Sequence, residues 1–259
     1  MRIYHNLAGR SALAALLLTA LIPTVRAATF SINPLRVELD ARHRTDIINL
    51  KNTAESPLRV QVRTMLWTVA DDGQWQLTPS RDLIVTPELL EIAPGQTAQL
   101  RVGILADPGA GEGTYRLLLD ELPNQDPAPN SVSEIRVLTQ VSLPVFLEPM
   151  RRTRVPSLGT ATVEHGTLVM GLGNSGTQRL DPQRIKIALL DGGGHVLDQR
   201  DMTANYVLSG RTWYLNLKLP AGSCERAATV SVSWPDLANT SLTQAIATDT
   251  KACDGAGSP

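Results

Sequence analysis

Residues 133–147 carry the strongest structural signal in this sequence, because apolar and polar side chains alternate along the whole stretch. The apolar positions, with one threonine among them, are Ile135, Val137, Thr139, Val141, Leu143, Val145 and Leu147. A period of two predicts a β-strand with one apolar face. Strands usually have about 3–10 residues, so a strand of this length can extend beyond its own core. Its free end would then offer apolar side chains to an incomplete β-sheet of another protein.

The first 27 residues have the pattern of a secretory signal peptide. A basic start precedes an apolar run over 11–22, and small residues surround Ala27. The run is too short to span a bilayer comfortably, which favours a cleaved signal over a membrane anchor. We therefore predict a signal peptide over 1–27, cut after Ala27 or Ala28, and a mature chain that does not insert into membranes. An uncleaved amphipathic start is the alternative.

The charge balance of the mature chain does not indicate a nucleic-acid surface. Removing 27 residues from 259 leaves 232, of which 21 are Lys or Arg and 25 are Asp or Glu, a net charge of −4. Binding to phosphate backbones favours the opposite sign, so no nucleic-acid partner is predicted. The length suits two domains of about 100–150 residues each.

Short alternating segments separated by turn residues run through the mature chain and predict an all-β protein. In 28–148, beginning with one strand over Phe30–Leu39, they predict an immunoglobulin-like sandwich. A linker rich in Pro and Arg follows at 149–156. The strand pattern returns in 157–253, which predicts a second sandwich, and 254–259 is predicted to be a loose tail.

The two cysteines of the chain, Cys224 and Cys253, lie near its C-terminus. In a chain addressed to an oxidising compartment, this pattern favours a disulfide between them. A metal pair or a redox site would need further ligands or a CxxC spacing, and the sequence has neither. We predict a disulfide, no metal site and no cofactor.

The sequence contains no recognisable catalytic constellation. The histidines of the mature chain, His43, His165 and His195, are far apart and have no nucleophile pattern beside them. HExxH, GxSxG and phosphate-loop motifs do not occur. The chain is therefore predicted not to be an enzyme and to have no catalytic residues.

Four segments, taken in their order and spacing, resemble a known protein family. They are PLRVEL, LLEIAPGQTAQLRVGI, TYRLLLDELP and the long alternating segment that ends in PVFLEP. With them, the chain resembles the PapD-like periplasmic pilus-assembly chaperones of the chaperone–usher pathway, over nearly the whole mature sequence. The third and fourth segments are more similar to the archaic branch of this family than to its best-studied branch.

The resemblance implies two immunoglobulin-like domains arranged in an L with a cleft between them. It also implies a periplasmic protein that folds and caps pilus subunits and delivers them to an outer-membrane usher. The last long strand of the first domain is lent to a subunit that lacks its own final strand, which is donor-strand complementation. Carried over by position, the donated residues are Ile135, Val137, Thr139 and Val141, with Leu143 next in line.

The resemblance further implies basic residues that hold the C-terminal carboxylate of the subunit. Arg36 matches the first-strand arginine of the family, but Pro144 stands where the best-studied branch has a lysine. Arg116, on the strand beside the long one, could supply the missing charge, and we favour it as the main anchor. Either arginine could instead be solvated or in a cross-strand ion pair. Glu148 stands where the best-studied branch has an arginine that bridges the two domains, so this role is not carried over to Glu148.

Three alternatives remain open from the sequence. The long strand could serve its own core, which is the favoured interpretation for Val145 and Leu147, whereas donation is favoured for Ile135 and Val137. The chain could also be a secreted adhesin or a structural pilus component. Such a subunit needs a free N-terminal extension with alternating apolar residues. Here the long alternating segment lies in the middle of the chain, at 133–147. The free chain could also cap its own strand by self-association.

Overall fold

A computed structural model of the chain describes residues 30–123, 137–247 and 253. These residues form 17 β-strands and one short 3-10 helix, Cys224–Arg226. The all-β prediction is confirmed. No helix in the described part of the chain is long and apolar enough to cross a membrane. The predicted signal peptide and tail lie outside the described residues.

Ten strands lie in the N-terminal half of the chain. They are β1 (Phe30–Asn33), β2 (Val37–Leu39), β3 (Thr45–Asn52), β4 (Leu58–Val69), β5 (Trp75–Pro79), β6 (Leu83–Thr86), β7 (Leu89–Ile92), β8 (Thr97–Ile104), β9 (Gly113–Leu122) and β10 (Gln140–Leu147). One sheet has the order β1-β3-β8-β6, and the other has the order β2-β10-β9-β4-β5 with β7 also paired to β4.

The first hydrophobic core draws alternate side chains from both of these sheets. Its buried members include Ile48, Leu50, Leu100, Leu117 and Val145. Two sheets that bury alternate apolar positions against each other form a sandwich of the immunoglobulin type, as predicted.

Seven further strands form the C-terminal half. They are β11 (Pro156–Glu164), β12 (Thr167–Asn174), β13 (Arg184–Leu190), β14 (Val196–Thr203), β15 (Thr212–Lys218), β16 (Thr229–Trp234) and β17 (Thr240–Ala247). They are hydrogen-bonded in the order β14-β13-β16-β17-β11-β12-β15. A second core includes Ile185, Val232 and Trp234. The predicted disulfide is present: Cys224 is bonded to Cys253. The predicted domain limits stay a prediction.

Two predicted strands differ from the structure. The strand predicted over Phe30–Leu39 is divided into β1 and β2, which belong to different sheets. Pro34 has no N–H group to continue a ladder, so the chain leaves the first sheet there. The strand predicted over 133–147 begins only at Gln140, since described residues 137–139 lie outside regular structure. Thr139 still forms hydrogen bonds with Glu121 of β9, whereas Val137 and Leu138 are exposed.

A third apolar cluster joins the two halves of the chain. Trp67, Val69 and Phe146 of the first half pack with Leu208 and the half-buried Tyr206 of the second. The aromatic rings of Trp67, Phe146 and Tyr206 lie with their centroids 5.5–6.2 Å apart. Aromatic contacts of this kind stabilise an interface beyond the area they bury. The two sandwiches therefore meet on the outer face of the β9–β10 sheet.

Candidate functional site

Strand β10 has one edge that is only partly occupied. On one side it pairs antiparallel with β9 along its full length, from Gln140 opposite Asp120 to Leu147 opposite Gly113. On the other side it pairs in parallel with β2, but only over Val145–Leu147. No strand in the described part of the chain covers that second edge over 140–144.

The backbone groups at this open edge follow from the pairing. The Glu121 N–H group donates to the Thr139 carbonyl at 2.9 Å, so Thr139 faces β9. Because successive residues in a strand point their backbone groups to opposite sides, Gln140 and Ser142 present theirs to the open edge. Pro144 presents a carbonyl and no N–H group. Backbone groups that no strand pairs are a template for another strand, although the Ser142 carbonyl accepts one hydrogen bond from the Arg116 side chain.

The apolar face of the segment passes gradually from core to solvent. Leu143 is 3 % exposed and lies inside the first core, as Val145 and Leu147 do. Val141 is half-buried at the margin of that core. Val137 is 80 % exposed. The face therefore continues beyond the sandwich with apolar groups that the described chain leaves uncovered.

The predicted donor residues thus have different surroundings. Val137, Thr139 and Val141 lie along the free part of the segment, and the Thr139 N–H group donates to the Glu121 carboxylate at 3.1 Å. Leu143 fills the chain's own core, which disfavours its donation to another protein. Ile135 lies outside the described residues.

Arg116 lies on β9, opposite Pro144, and only 5 % of the residue is exposed. Its guanidinium carbon is 3.9 Å from the ring centroid of Trp67 and 4.6 Å from that of Trp75. One terminal nitrogen, Nη1, donates to the Ser142 carbonyl at 3.4 Å. The cation therefore lies between an aromatic wall and the open edge of β10.

No carboxylate in the described part of the chain pairs with Arg116, and its Nε atom is buried without a hydrogen-bond partner. Burial lowers the pKa of Arg116 to about 10, so the side chain is still charged at neutral pH. A buried charge without a counter-ion is costly. Such a group commonly marks a site at which a ligand supplies the missing charge.

Arg36 has a different environment. Its side chain is 42 % exposed and pairs with Glu38 at 3.1 Å and with Asp181 at 3.0 Å. The ion pair with Asp181 connects the two halves of the chain. Since both contacts already use carboxylates of the protein, Arg36 is less available than Arg116 for an external one.

Arg179, in the connection after β12, is a buried arginine that the sequence analysis did not single out. Its side chain is 1 % exposed and contacts the carboxylates of Glu112, Glu38 and Asp181. Its backbone N–H group also donates to Glu112 at 3.1 Å. The sequence around Arg179 is polar and has no periodic apolar pattern, so the burial of Arg179 could not be predicted from the sequence. The ion cluster holds the second half of the chain against the first.

Glu148, where the sequence departs from the resembled family, pairs with Arg152 four residues later. Both residues belong to the connection between the sandwiches, so this ion pair is local. Among the described residues, no group of three or more His, Cys, Asp or Glu side chains is placed to hold a metal ion.

Comparison with known families finds one match in the first half of the chain. Residues 29–152 match the family of pili and flagellar-assembly chaperones, PapD N-terminal domain. The matched segment contains Arg36, Arg116 and the whole of β10. A comparison with curated proteins finds no match.

Solved structures with the same fold are similar to nearly the whole chain. The YadV chaperone is 12 % identical with a TM-score of 0.56, covering 84 % of this chain and 100 % of its own. A chaperone–tip adhesin complex of CFA/I fimbriae gives 12 % identity and a TM-score of 0.55, and the match covers 85 % of this chain and 99 % of the matched chain. The E. coli chaperone DraB is 15 % identical with a TM-score of 0.50, and the match covers 86 % of this chain and 98 % of DraB. At these identities the similarity shows the two-sandwich fold.

Proposed function

The N-terminal sandwich of this chain belongs to the PapD-type family of pilus-assembly chaperones, and on that premise we propose that the chain captures pilus subunits through the open edge of β10. The chain acts in the periplasm, caps each subunit until it reaches an outer-membrane usher, and carries out no chemical reaction. The incomplete sandwich of the subunit receives the segment around 137–143 as its missing strand.

The observation that carries this proposal is the partly covered β10 strand. Its open edge presents the backbone groups of Gln140 and Ser142, and its apolar face leads from the buried Leu143 out to the exposed Val137. A groove that covers Val137 and Val141 gains about 1.5–3 kcal/mol gross for each fully buried side chain. The ordering of both chains offsets part of that gain.

Arg116 indicates where the captured strand ends and in which direction it runs. Its guanidinium group lies beside Ser142, next to the part of the edge that β2 already occupies. A C-terminal carboxylate that neutralises Arg116 therefore comes at the β2 end of the open edge. The rest of the captured strand extends back toward Val137, so it runs parallel to β10.

Three further interpretations from the sequence are affected differently. A structural pilus component needs a free N-terminal extension, but β1 takes the chain into its own sheet from Phe30 onward, which favours the chaperone. Assignment to the archaic branch stays a prediction from the form of 114–123 and 133–149. Self-association of the free chain also stays a prediction.

The proposal is tested by expressing the chain together with the products of the genes encoded beside it. Affinity purification and mass identification should recover a pilus subunit with the unaltered chain. The double variant Val137→Asp, Val141→Asp should recover none, because it would place charges in an apolar groove.

Leu138→Asp is the matched control, because Leu138 is a neighbouring exposed apolar residue on the opposite face of the segment. It should retain most of the subunit. Equal recovery of the subunit by the double variant and the unaltered chain would contradict the proposed capture mode.

A further inference from the structure

Tyr206 comes from the second half of the chain, between β14 and β15, yet it lies beside the Arg116 site. The guanidinium carbon of Arg116 is 5.9 Å from its ring centroid. The ring also packs edge-on against Trp67, with the centroids 5.6 Å apart. The residue is half-buried. The site is therefore built by both sandwiches, although the donated strand belongs to the first alone.

A carboxylate in a two-pronged contact with Arg116 receives two hydrogen bonds from it and has room for further donors. Two carboxylate oxygens accept about four hydrogen bonds, and taking the group out of water makes each unsatisfied one costly. One terminal nitrogen of Arg116 already donates to Ser142, and Pro144 has no N–H group to add. The Tyr206 hydroxyl group is a suitable further donor, since no described residue forms a hydrogen bond with it.

The position of Tyr206 is fixed by its neighbour along the chain. Val207 and Leu180 exchange two backbone hydrogen bonds, of 2.9 and 3.1 Å. Leu180 follows Arg179, whose guanidinium carbon lies 3.6 Å from the ring centroid of Phe146. The ion cluster around Arg179 thus holds Tyr206 against the first sandwich.

We propose that Tyr206 is a binding residue whose hydroxyl group donates a hydrogen bond to the C-terminal carboxylate of the captured subunit, beside Arg116. This inference rests on the proposed function. It makes capture dependent on the docking of the second sandwich, because the second donor comes from there.

The test is a competition for one limiting pilus subunit, the product of a gene encoded beside the chain. The unaltered chain and Tyr206→Phe, with different affinity tags, are produced together in equal amounts with that subunit. Tyr206→Phe should hold roughly tenfold less subunit, the loss typical of a hydrogen bond to a charged group. Its thermal unfolding midpoint should equal that of the unaltered chain, since the ring is retained.

Tyr214→Phe is the matched control, because Tyr214 is a partly exposed tyrosine of β15 whose ring packs on Gly73 of the first sandwich. It should compete equally with the unaltered chain. Equal partition of the subunit between the unaltered chain and Tyr206→Phe overturns the inference. A loss of subunit by Tyr206→Phe together with a lower unfolding midpoint of this variant also overturns it, because that result would indicate a packing role for the tyrosine. If the unaltered chain captures no subunit at all, the proposed function itself fails.

Discussion

Two arginines are buried close to Phe146 and Trp67, and their surroundings are opposite. Arg179 contacts Phe146 with its guanidinium group and reaches three carboxylates, of Glu112, Glu38 and Asp181. Arg116 stacks on Trp67 and has no carboxylate partner among the described residues. Both groups are out of water, but only Arg179 has its charge balanced within the chain.

We interpret Arg179 as a structural charge, whereas the proposed function makes Arg116 a charge that a ligand balances. A buried arginine with all its partners fixes the geometry of an interface, and its removal leaves the partners unpaired. A buried arginine without a counter-ion is a cost to folding, and an anion that binds to it relieves that cost. The same residue type therefore has two roles in one interface, and burial alone would not distinguish them.

The largest expected effect tests the structural side of the comparison. Arg179→Leu should lower the free energy of unfolding by about 3–5 kcal/mol, because it leaves the buried Glu112 carboxylate unpaired. Urea denaturation measures the change. Arg154→Leu removes a partly exposed arginine that also pairs with Asp181, and it should cost less than about 1 kcal/mol. Similar losses in the two variants would contradict a structural role for Arg179.

The second prediction concerns the unpaired arginine. Arg116→Met should leave the free energy of unfolding unchanged to within about 1 kcal/mol or raise it, because it replaces a buried charge that no described carboxylate balances with an apolar group. It should reduce subunit capture at least about a hundredfold, the equivalent of roughly 2.7 kcal/mol, since a carboxylate would lose its charged partner. Denaturation and competition for the subunit measure the two effects.

Arg101→Met, which alters an exposed arginine of β8, is the control for this variant and should change neither quantity. Normal capture by Arg116→Met would show that the unpaired charge is not an anchor, and the contrast with Arg179 would then lose its functional meaning.

A smaller effect is expected from shortening one apolar side chain on the free segment. Val137→Ala should reduce capture by up to about fifteenfold, because roughly two methyl groups are lost from the groove at about 0.8 kcal/mol each. Stability should not change, since Val137 is exposed. Leu143→Ala should show the reverse pattern, with a loss of about 2–5 kcal/mol in stability from the cavity it leaves. A stability loss in Val137→Ala would mean that the segment packs on its own sandwich.

The smallest effect is expected for the exposed, paired arginine. Arg36→Ala should cost less than about 1 kcal/mol in stability, as is usual for surface ion pairs, and should lower capture by no more than a few-fold. The competition experiment against the unaltered chain measures this. A loss of capture as large as that of Arg116→Met would make Arg36 an equal anchor and contradict the preference for Arg116.

Much of the fold was predictable from the sequence, because short alternating segments and turn residues are local signals. The division of 30–39 into two strands depends on which sheet each part joins, and the alternation of Phe30, Ile32 and Val37 does not contain that information. The disulfide was predictable because the chain has one possible pair of cysteines.

The candidate site was predictable only in part. Alternation over 133–147 indicated a strand that offers apolar groups, but it did not show that Leu143 belongs to the core and Val137 does not. That division depends on where the facing sheet ends. The aromatic wall around Arg116 and the cluster around Arg179 join residues far apart in sequence, so no local pattern indicates them.

The short strand β2 has a consequence for the length of any chain that docks beside β10. It occupies the same side of β10 over Val145–Leu147 and runs in the same direction as the captured strand. The two would lie end to end, so β2 acts as a stop that no incoming terminus can pass. Under the proposed capture mode, β2 and the charge of Arg116 would together set how far the captured strand extends and which of its side chains face Val137 and Val141.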